Sequence, residues 1–415
     1  MTPDPVTDAI SATAPALDPA TRRVEPDGTL VTRSGPASSM HDAAPDRAER
    51  SPAAGAGAAH TPHRGEDGGT SRRPVVPILI GLVVLTAALF AGALALGSVS
   101  IPVTEVWTVL TGGDPSTSSW SVIITDIRLP RAVTALVAGA GLSVAGLQLQ
   151  TLFRNPLADP FVLGIASGAS LGVALVSLAG SGSMFLGTLA LGGSVSTAVA
   201  AAVGAGLVLG AVLTFARRIR SITSVLIIGL MAGYLAGSIV SLLLFFSDSD
   251  DFRAYLAWSL GSFRGVTWSE LAVLVPAAVI GLLLAASTVK GLNALLLGER
   301  YAESVGVNVR AVRAVIIVSS SLLAGVITAF AGPIAFVGLA VPHLGRALLR
   351  TSDHRVLMPS VVLIGACVAL GTEIIAGVPG QDLALPLNAV TPVLGAPVVI
   401  VVLMRLRRSA EVVLS

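Results

Sequence analysis

The sequence is poor in charge, in cysteine and in lysine. Charged residues make up 12% of its 415 positions, about half the ~25% of an ordinary soluble domain. One cysteine, Cys367, excludes an internal disulfide framework and a cysteine-rich zinc site. The single lysine, Lys290, stands in Val-Lys-Gly and cannot complete a G-x-x-x-x-G-K-[ST] phosphate loop. A net charge of +2 is too small to point to nucleic acid. Only three tyrosines are present beside 44 glycines, and glycine is commoner in membrane helices than in soluble ones. What is abundant is apolar surface. Apolar residues reach 53% and the mean hydropathy is +0.84. A water-soluble chain could not cover that much, so the composition describes an all-α polytopic membrane protein.

Charge is concentrated at the start. Residues 1–73 hold 8 of the 26 basic and 10 of the 24 acidic residues, and with Pro74 they hold 10 of the 24 prolines. They show no helical or strand period, and such composition offers too little apolar surface to offset chain entropy. The segment reads as a disordered cytoplasmic tail, without the apolar core of a signal peptide. From Val75 onward about ten uncharged apolar stretches recur, near 75–97, 132–152, 161–180, 188–214, 222–246, 269–289, 311–331, 333–349, 357–376 and 387–405. A helix needs roughly 20 apolar residues to cross the hydrocarbon. The division at Gly332-Pro333 follows from proline removing a helical hydrogen bond. The domain plan is therefore a tail over 1–73, a ten-helix membrane domain over 74–408 and a short cytoplasmic tail over 409–415.

Ten spans put both termini on one side. The loops on the N-terminal side carry 16 basic residues and the opposite loops carry four, Arg128, Arg131, Arg253 and Arg264. The positive-inside rule places both termini in the cytoplasm of a multi-pass membrane protein. The interior is almost free of ionisable groups. Glu373, near a span end, has no obvious cationic neighbour in sequence. A secondary carrier would keep several ionisable groups at the midplane, and a membrane enzyme would bring an acid, a base and a nucleophile to one depth. Neither pattern is present. No catalytic residue and no metal site is expected in this chain, and the driving force is expected from a separate ATPase.

The cytoplasmic loop 288–313 is the longest between spans on that side. Within it Glu299 to Ser304 read as a short helix, entered from Leu297-Gly298 and closed by Gly306. Such a piece suits either docking into a partner's groove or a solvated interfacial helix. In the fifth stretch Tyr234, Ser238, Ser241 and Phe245 recur at helical spacing, and in the tenth Asn388 and Thr391 are i, i+3 neighbours. These positions either line a passage or pack against neighbouring helices. Gly139, Gly141 and Gly146 suit close helix approach. His343, after Pro342, reads as an interfacial cap or as a ligand.

Several runs together carry a resemblance. They are Arg128-Leu-Pro-Arg131, Arg154-Asn-Pro-Leu-Ala-Asp-Pro160, Leu297-Gly-Glu-Arg-Tyr-Ala-Glu-Ser-Val-Gly306, Gly332-Pro-Ile-Ala-Phe-Val-Gly-Leu-Ala-Val-Pro-His343 and Leu394-Gly-Ala-Pro397. In this order the chain resembles, over about 72–408, the permease family of ATP-binding-cassette importers for iron–siderophores, haem and vitamin B12. The resemblance implies a vitamin B12 permease-like fold of ten helices and a permease homodimer or heterodimer in the lipid bilayer. It also implies cytoplasmic ABC ATPase subunits that hold ATP and Mg, and an extracellular or periplasmic substrate-binding protein. A ferric siderophore is the expected cargo, with haem or vitamin B12 as the alternative.

Residue roles follow from the same resemblance. Leu297, Gly298, Glu299, Ala302, Glu303 and Gly306 would form the loop that couples to the ATPase. Arg128 and Arg131 would dock the binding protein, against the plainer reading of cations anchored at the interface. Tyr234, Ser238, Ser241, Phe245, Asn388 and Thr391 would line the translocation path. Asn155, Pro156, Pro160 and Pro333 would fix turns, since each proline biases the residue before it away from helix. The chain departs from the family near its end. Gly377 stands where the family has an arginine, and Ala384-Leu-Pro-Leu-Asn388 replaces Glu-Leu-Pro-x-Gly.

Overall fold

A computed structural model describes residues 75–178, 193–218, 221–377 and 385–414. The expected tail over 1–73 lies outside the described residues. The described residues form helices α1 (Val75–Ala95), α2 (Val103–Leu110), α3 (Ser118–Val122), α4 (Leu129–Leu152), α5 (Ile165–Leu178), α6 (Gly193–Arg218), α7 (Ile222–Phe245) and α8 (Ser249–Ser259). They continue with α9 (Trp268–Ser287), α10 (Val289–Leu296), α11 (Glu299–Ser304), α12 (Val309–Ala331), α13 (Val337–Leu349), α14 (His354–Ala376) and α15 (Leu387–Leu414). No strand occurs among them. Seven helices are long and apolar enough to cross a membrane, and α5, α13 and the first part of α15 supply three shorter apolar pieces. The ten expected stretches thus each correspond to a helix.

The helices sort by what surrounds them. α1 is apolar on every side and exposes Val76, Ile80, Val83 and Val84, as a helix facing lipid does. α4 is its opposite, with every residue from Ala138 to Leu152 buried. α14, α12 and α13 pack around α4, and α5 packs along α6. Missing side chains permit these contacts. A Cβ on Gly139 would fall 2.1 Å from the Gly365 carbonyl oxygen of α14, and one on Gly146 would fall 1.9 Å from the Gly338 oxygen of α13. Gly172 and Gly204 hold α5 and α6 together in the same way, with carbonyl oxygens 2.0 and 2.1 Å from the added carbon. Hydrocarbon offers no hydrophobic drive between helices, so close backbone approach and interhelical hydrogen bonds must supply the cohesion. Gln148 supplies part of it, donating to Thr288 Oγ1 of the α9–α10 junction at 3.2 Å and accepting from Ser319 of α12 at 2.9 Å.

Three boundaries differ from expectation. The second span starts at Ser118, not 132, and runs 35 residues. Pro130 cannot donate back along the helix, and the turn before it widens over Ile123–Arg128 without breaking the helix. Arg128 and Arg131 therefore lie within a continuous helix. The eighth span is only 13 residues, because Gly332 (φ 73°) and Phe336 (φ 69°) keep 332–336 non-helical. The last helix does not stop at 405 but continues to Leu414, through most of the segment expected to be a tail.

The glycine contacts make a direct prediction. Gly139→Ala and Gly146→Ala each destabilise the detergent-purified protein by the ~1–3 kcal/mol of an overpacked core, read as a lowered thermal midpoint. Gly206→Ala, on an open face of α6 with nothing within 4 Å, leaves the midpoint unchanged or raises it. Equal midpoints for all three variants would contradict the packing role.

Candidate functional site

At the end of the bundle expected to face outside, the polar chemistry gathers in one cavity of about 270 Å³, walled by Arg128, Arg131, Arg264, Glu373, Gly97 and Gly377. Arg128 is not the exposed cation expected from its sequence position. It is 7% exposed and donates to the carbonyls of Leu94 at 2.7 Å, Ala95 at 2.8 Å and Val99. The last carbonyls of α1 have no helical partner, and the guanidinium satisfies them. The side chain clamps α1 to the second span, so its geometry does not support a docking role. Arg131 is partly buried on the cavity wall. Glu373 has the cationic partners that its sequence neighbourhood lacks, with Arg131 and Arg264 both within electrostatic reach. Arg264 Nη2 lies 3.4 Å from where a Cβ of Gly377 would stand and reaches the Ala376 carbonyl at 3.5 Å. A guanidinium from the α8–α9 loop thus occupies the neighbourhood where the resemblance leads one to expect an arginine at 377. Nothing in sequence adjacency signals this, because 113 positions separate the two residues.

The expected path residues fall into two groups. On α7, Tyr234, Ser238 and Ser241 share an open cleft of about 420 Å³ with Gly233, Gly237 and Ser167. The two serine hydroxyls bond back to the carbonyls of Tyr234 and Gly237 at 2.9 and 3.0 Å. Phe245 is 80% exposed and stacks edge-on against Phe246, outside the cleft lining. The α15 pair is not part of this surface. Asn388 has both side-chain atoms engaged, Nδ2 donating to Ser259 O at 3.1 Å and Pro333 O at 2.7 Å, and Oδ1 accepting from Ala335 N at 3.1 Å. It clips the start of α15 to the end of α8 and to the 332–336 loop, so it does not face an open passage. Thr391 is 4% exposed, bonds to Leu387 O at 3.0 Å and lines a separate cavity of about 250 Å³ against Phe336 and Cys367.

The turn after α4 has the expected geometry. Asn155 Oδ1 accepts from Leu157 N and Asp159 Oδ1 from Phe161 N, both at 2.9 Å, with Pro160 opening a short helical turn. Burial pushes the Asp159 carboxyl up to about 6, while the Phe161 N–H pulls the other way. Pro156 O accepts from His343 Nε2 at 2.8 Å, so the histidine ties this turn to α13. Pro333 likewise anchors its loop, through Asn388.

At the same end lies the 288–313 loop. Its helix spans Glu299–Ser304 as read from the sequence, between Gly298 (φ 119°) and Gly306 (φ 84°), positions that a side chain would strain. Two of the six expected coupling residues are held to the bundle. Ala302 is fully buried, and Glu299 forms an ion pair with Arg313 of α12 at 2.8 Å. Glu303 and Gly306 are exposed. The outward apolar stripe is Leu297, Tyr301 and Val305, at 67, 48 and 55% exposure. Sequence reasoning missed Tyr301 and Val305, although their mutual i, i+4 spacing in a polar loop was a usable signal. Asn293 holds the loop to α14, donating to Asp353 Oδ1 at 2.6 Å and accepting from His354 Nδ1 at 2.8 Å. The Asp353 carboxyl is held below its usual range by the Arg355 N–H and by Asn293.

Among the described residues, ten apolar helices, one of them buried at the centre, with a short exposed helix at one end and a basic cavity at the other, define a multi-span membrane permease. Residues 84–405 match the FecCD transport family, and the chain belongs to it. It is 36% identical over 309 residues to the vitamin B12 import system permease protein BtuC of Klebsiella pneumoniae, covering 74% of this chain and 90% of that one. It is 36% identical over 304 residues to the protein of that name from Escherichia coli O9:H4, covering 73% and 90%. A metal-chelate type ABC transporter solved in an inward-facing conformation superposes with a TM-score of 0.69 at 29% identity, over 80% of this chain and 99% of the other.

The clamp by Arg128 is testable. Arg128→Gln leaves buried carbonyls short of donors and destabilises the protein by about 3 kcal/mol or more, given ~1.5–3 kcal/mol per charged hydrogen bond, which a lowered thermal midpoint reports. A variant as stable as the parent would return Arg128 to the surface role.

Proposed function

We propose that the chain is the membrane-spanning subunit of an ATP-binding-cassette importer for a metal chelate, working as a dimer with cytoplasmic ATPases and an external binding protein. The observation that carries this is the family match over 84–405. A ferric siderophore is the cargo expected from the breadth of that group. Vitamin B12 is a second reading, favoured by the names of the relatives. Uptake of labelled ferric siderophore, haem and cobalamin by a deletion strain carrying the gene decides among them. Accumulation of none of the three would overturn the importer reading. In this reading both termini are cytoplasmic, ATP and Mg sit on the partner, and the α7 cleft with Tyr234, Ser238 and Ser241 borders the passage.

Coupling is assigned to the outward stripe of α11. Replacing Leu297, Tyr301 and Val305 together by serine removes the exposed apolar contact while keeping the Glu299–Arg313 pair. The expected result is a permease that folds normally but no longer retains its ATPase on copurification. Undiminished retention and substrate-stimulated ATP hydrolysis would place the contact elsewhere.

Docking of the binding protein is assigned to Arg131 with Arg264, the cavity cations not committed to clamping α1. Paired guanidiniums suit carboxylates. Arg131→Glu with Arg264→Glu weakens binding-protein association most at low salt, where screening is slight. The effect on one exposed pair is only ~0.2–1 kcal/mol, so the double change is the informative one. An unchanged dissociation constant at low ionic strength would refute the assignment.

A further inference from the structure

A large groove opens at the end of the bundle that carries α10 and α11, and no role described above uses it. It has a volume of about 940 Å³ and is walled on one side by Leu344, Leu357, Pro397, Val398 and Val401. Its polar rim holds Arg154, Arg346, His343 and His354, and no acidic side chain lines it. Arg346 is partly buried at this rim. Its Nη2 donates to Gln150 Oε1 and lies 3.4 Å from His343 Nδ1. The ring is oriented by its other nitrogen, which donates to Pro156 O at 2.8 Å, so Nδ1 accepts from the arginine. The guanidinium is thereby held in place by neutral partners. Among the described residues it has no carboxylate partner within ion-pair distance. Of the acids near this end, Glu299 pairs with Arg313, Asp353 accepts from Asn293 and Asp159 accepts from Phe161 N. A second cation, Arg154, is exposed beside it and reaches only the Leu295 carbonyl, at 3.4 Å.

A partly desolvated cation without a counter-charge is costly, and here the missing charge lies beside an apolar wall. We propose that the groove is a binding site for an anionic phospholipid, with the headgroup phosphate on Arg346 and Arg154 and an acyl chain along Leu344, Val398 and Val401. The size and the apolar lining decide for a lipid over a single acidic side chain of a partner, which would fill only a small part of the volume. The depth agrees. The groove lies where the spans of α13 and α15 meet the loop end of the bundle, and basic pockets between helices at the cytoplasmic side suit anionic headgroups. This assignment to a leaflet rests on the orientation proposed above, whereas the site itself does not.

The test uses the full-length permease purified in detergent, without ATPase or binding protein, so its outcome is independent of cargo and orientation. Phosphatidylglycerol, phosphatidylcholine and inorganic phosphate are each titrated, with native mass spectrometry for retained lipid and thermal unfolding as the second readout. Phosphatidylglycerol is expected to be retained and to raise the midpoint, and phosphatidylcholine and phosphate are expected to do neither. Arg346→Gln is expected to weaken phosphatidylglycerol retention about tenfold, as loss of one charged hydrogen bond would. Since Arg346 also contacts Gln150 and His343, Val401→Trp provides a second variant, which blocks the acyl wall while keeping both cations. It is expected to lose phosphatidylglycerol with its lipid-free midpoint unchanged. Equal retention of phosphatidylcholine, an equal response to inorganic phosphate, or full retention by Val401→Trp would each overturn the proposal.

Discussion

Helix α4 can occupy the centre of the bundle only because its backbone touches the backbones of its neighbours. At Gly139 against Gly365 and at Gly146 against Gly338, carbonyl oxygens fill the volume that a methyl group would need. In water a helix is driven onto its partners by burying apolar area. In a bilayer that gain is absent, since lipid tails are as apolar as the side chains. Close approach restores the cohesion through many short-range contacts, each small and together large. The arrangement of α12, α13 and α14 around α4 follows from which faces of that helix carry no side chain.

Once the backbones are that close, few places remain for polar groups, and these are used twice over. Arg128 meets the need of the α1 carbonyls and so leaves the cavity beside it to Arg131, Arg264 and Glu373. Asn388 satisfies three backbone groups in two segments, the end of α8 and the 332–336 loop. At the opposite end Gln148 bonds α4 to Thr288 at the head of α10, Gln150 bonds it to α13, and Thr151 bonds it to His354, which in turn holds Asn293 of α10. The exposed helix is thereby fixed to the central one. Asn293 ties α10 to the start of α14, and Glu299 ties α11 to α12.

The departures from the family pattern take on physical meaning in this frame. Gly377 lacks a side chain, and Arg264 lies beside the vacant position. Asn388, standing where the family has glycine, makes three hydrogen bonds that glycine could not make. This end of the bundle is therefore rebuilt from different residues, with the Gly332–Phe336 loop held by a side chain of α15.

Much of this was legible along the chain. Apolar runs of membrane length, the break at Gly332-Pro333, the helix Glu299–Ser304 between its glycines and the turn at Asn155 to Pro160 are all local. Local sequence controls them, because hydrophobic length, proline and glycine act within a few residues of themselves. The tertiary structure decided which charged and polar groups are free. Arg128 and Arg131 are three residues apart in sequence, yet one is spent on carbonyls of α1 and the other faces a cavity shared with Arg264 and Glu373. Asn388 and Ser241 looked alike as polar positions on apolar helices, and only one borders open space. Partners of this kind lie tens to hundreds of residues away, and a desolvated polar group takes whichever of them the packing brings within hydrogen-bond distance.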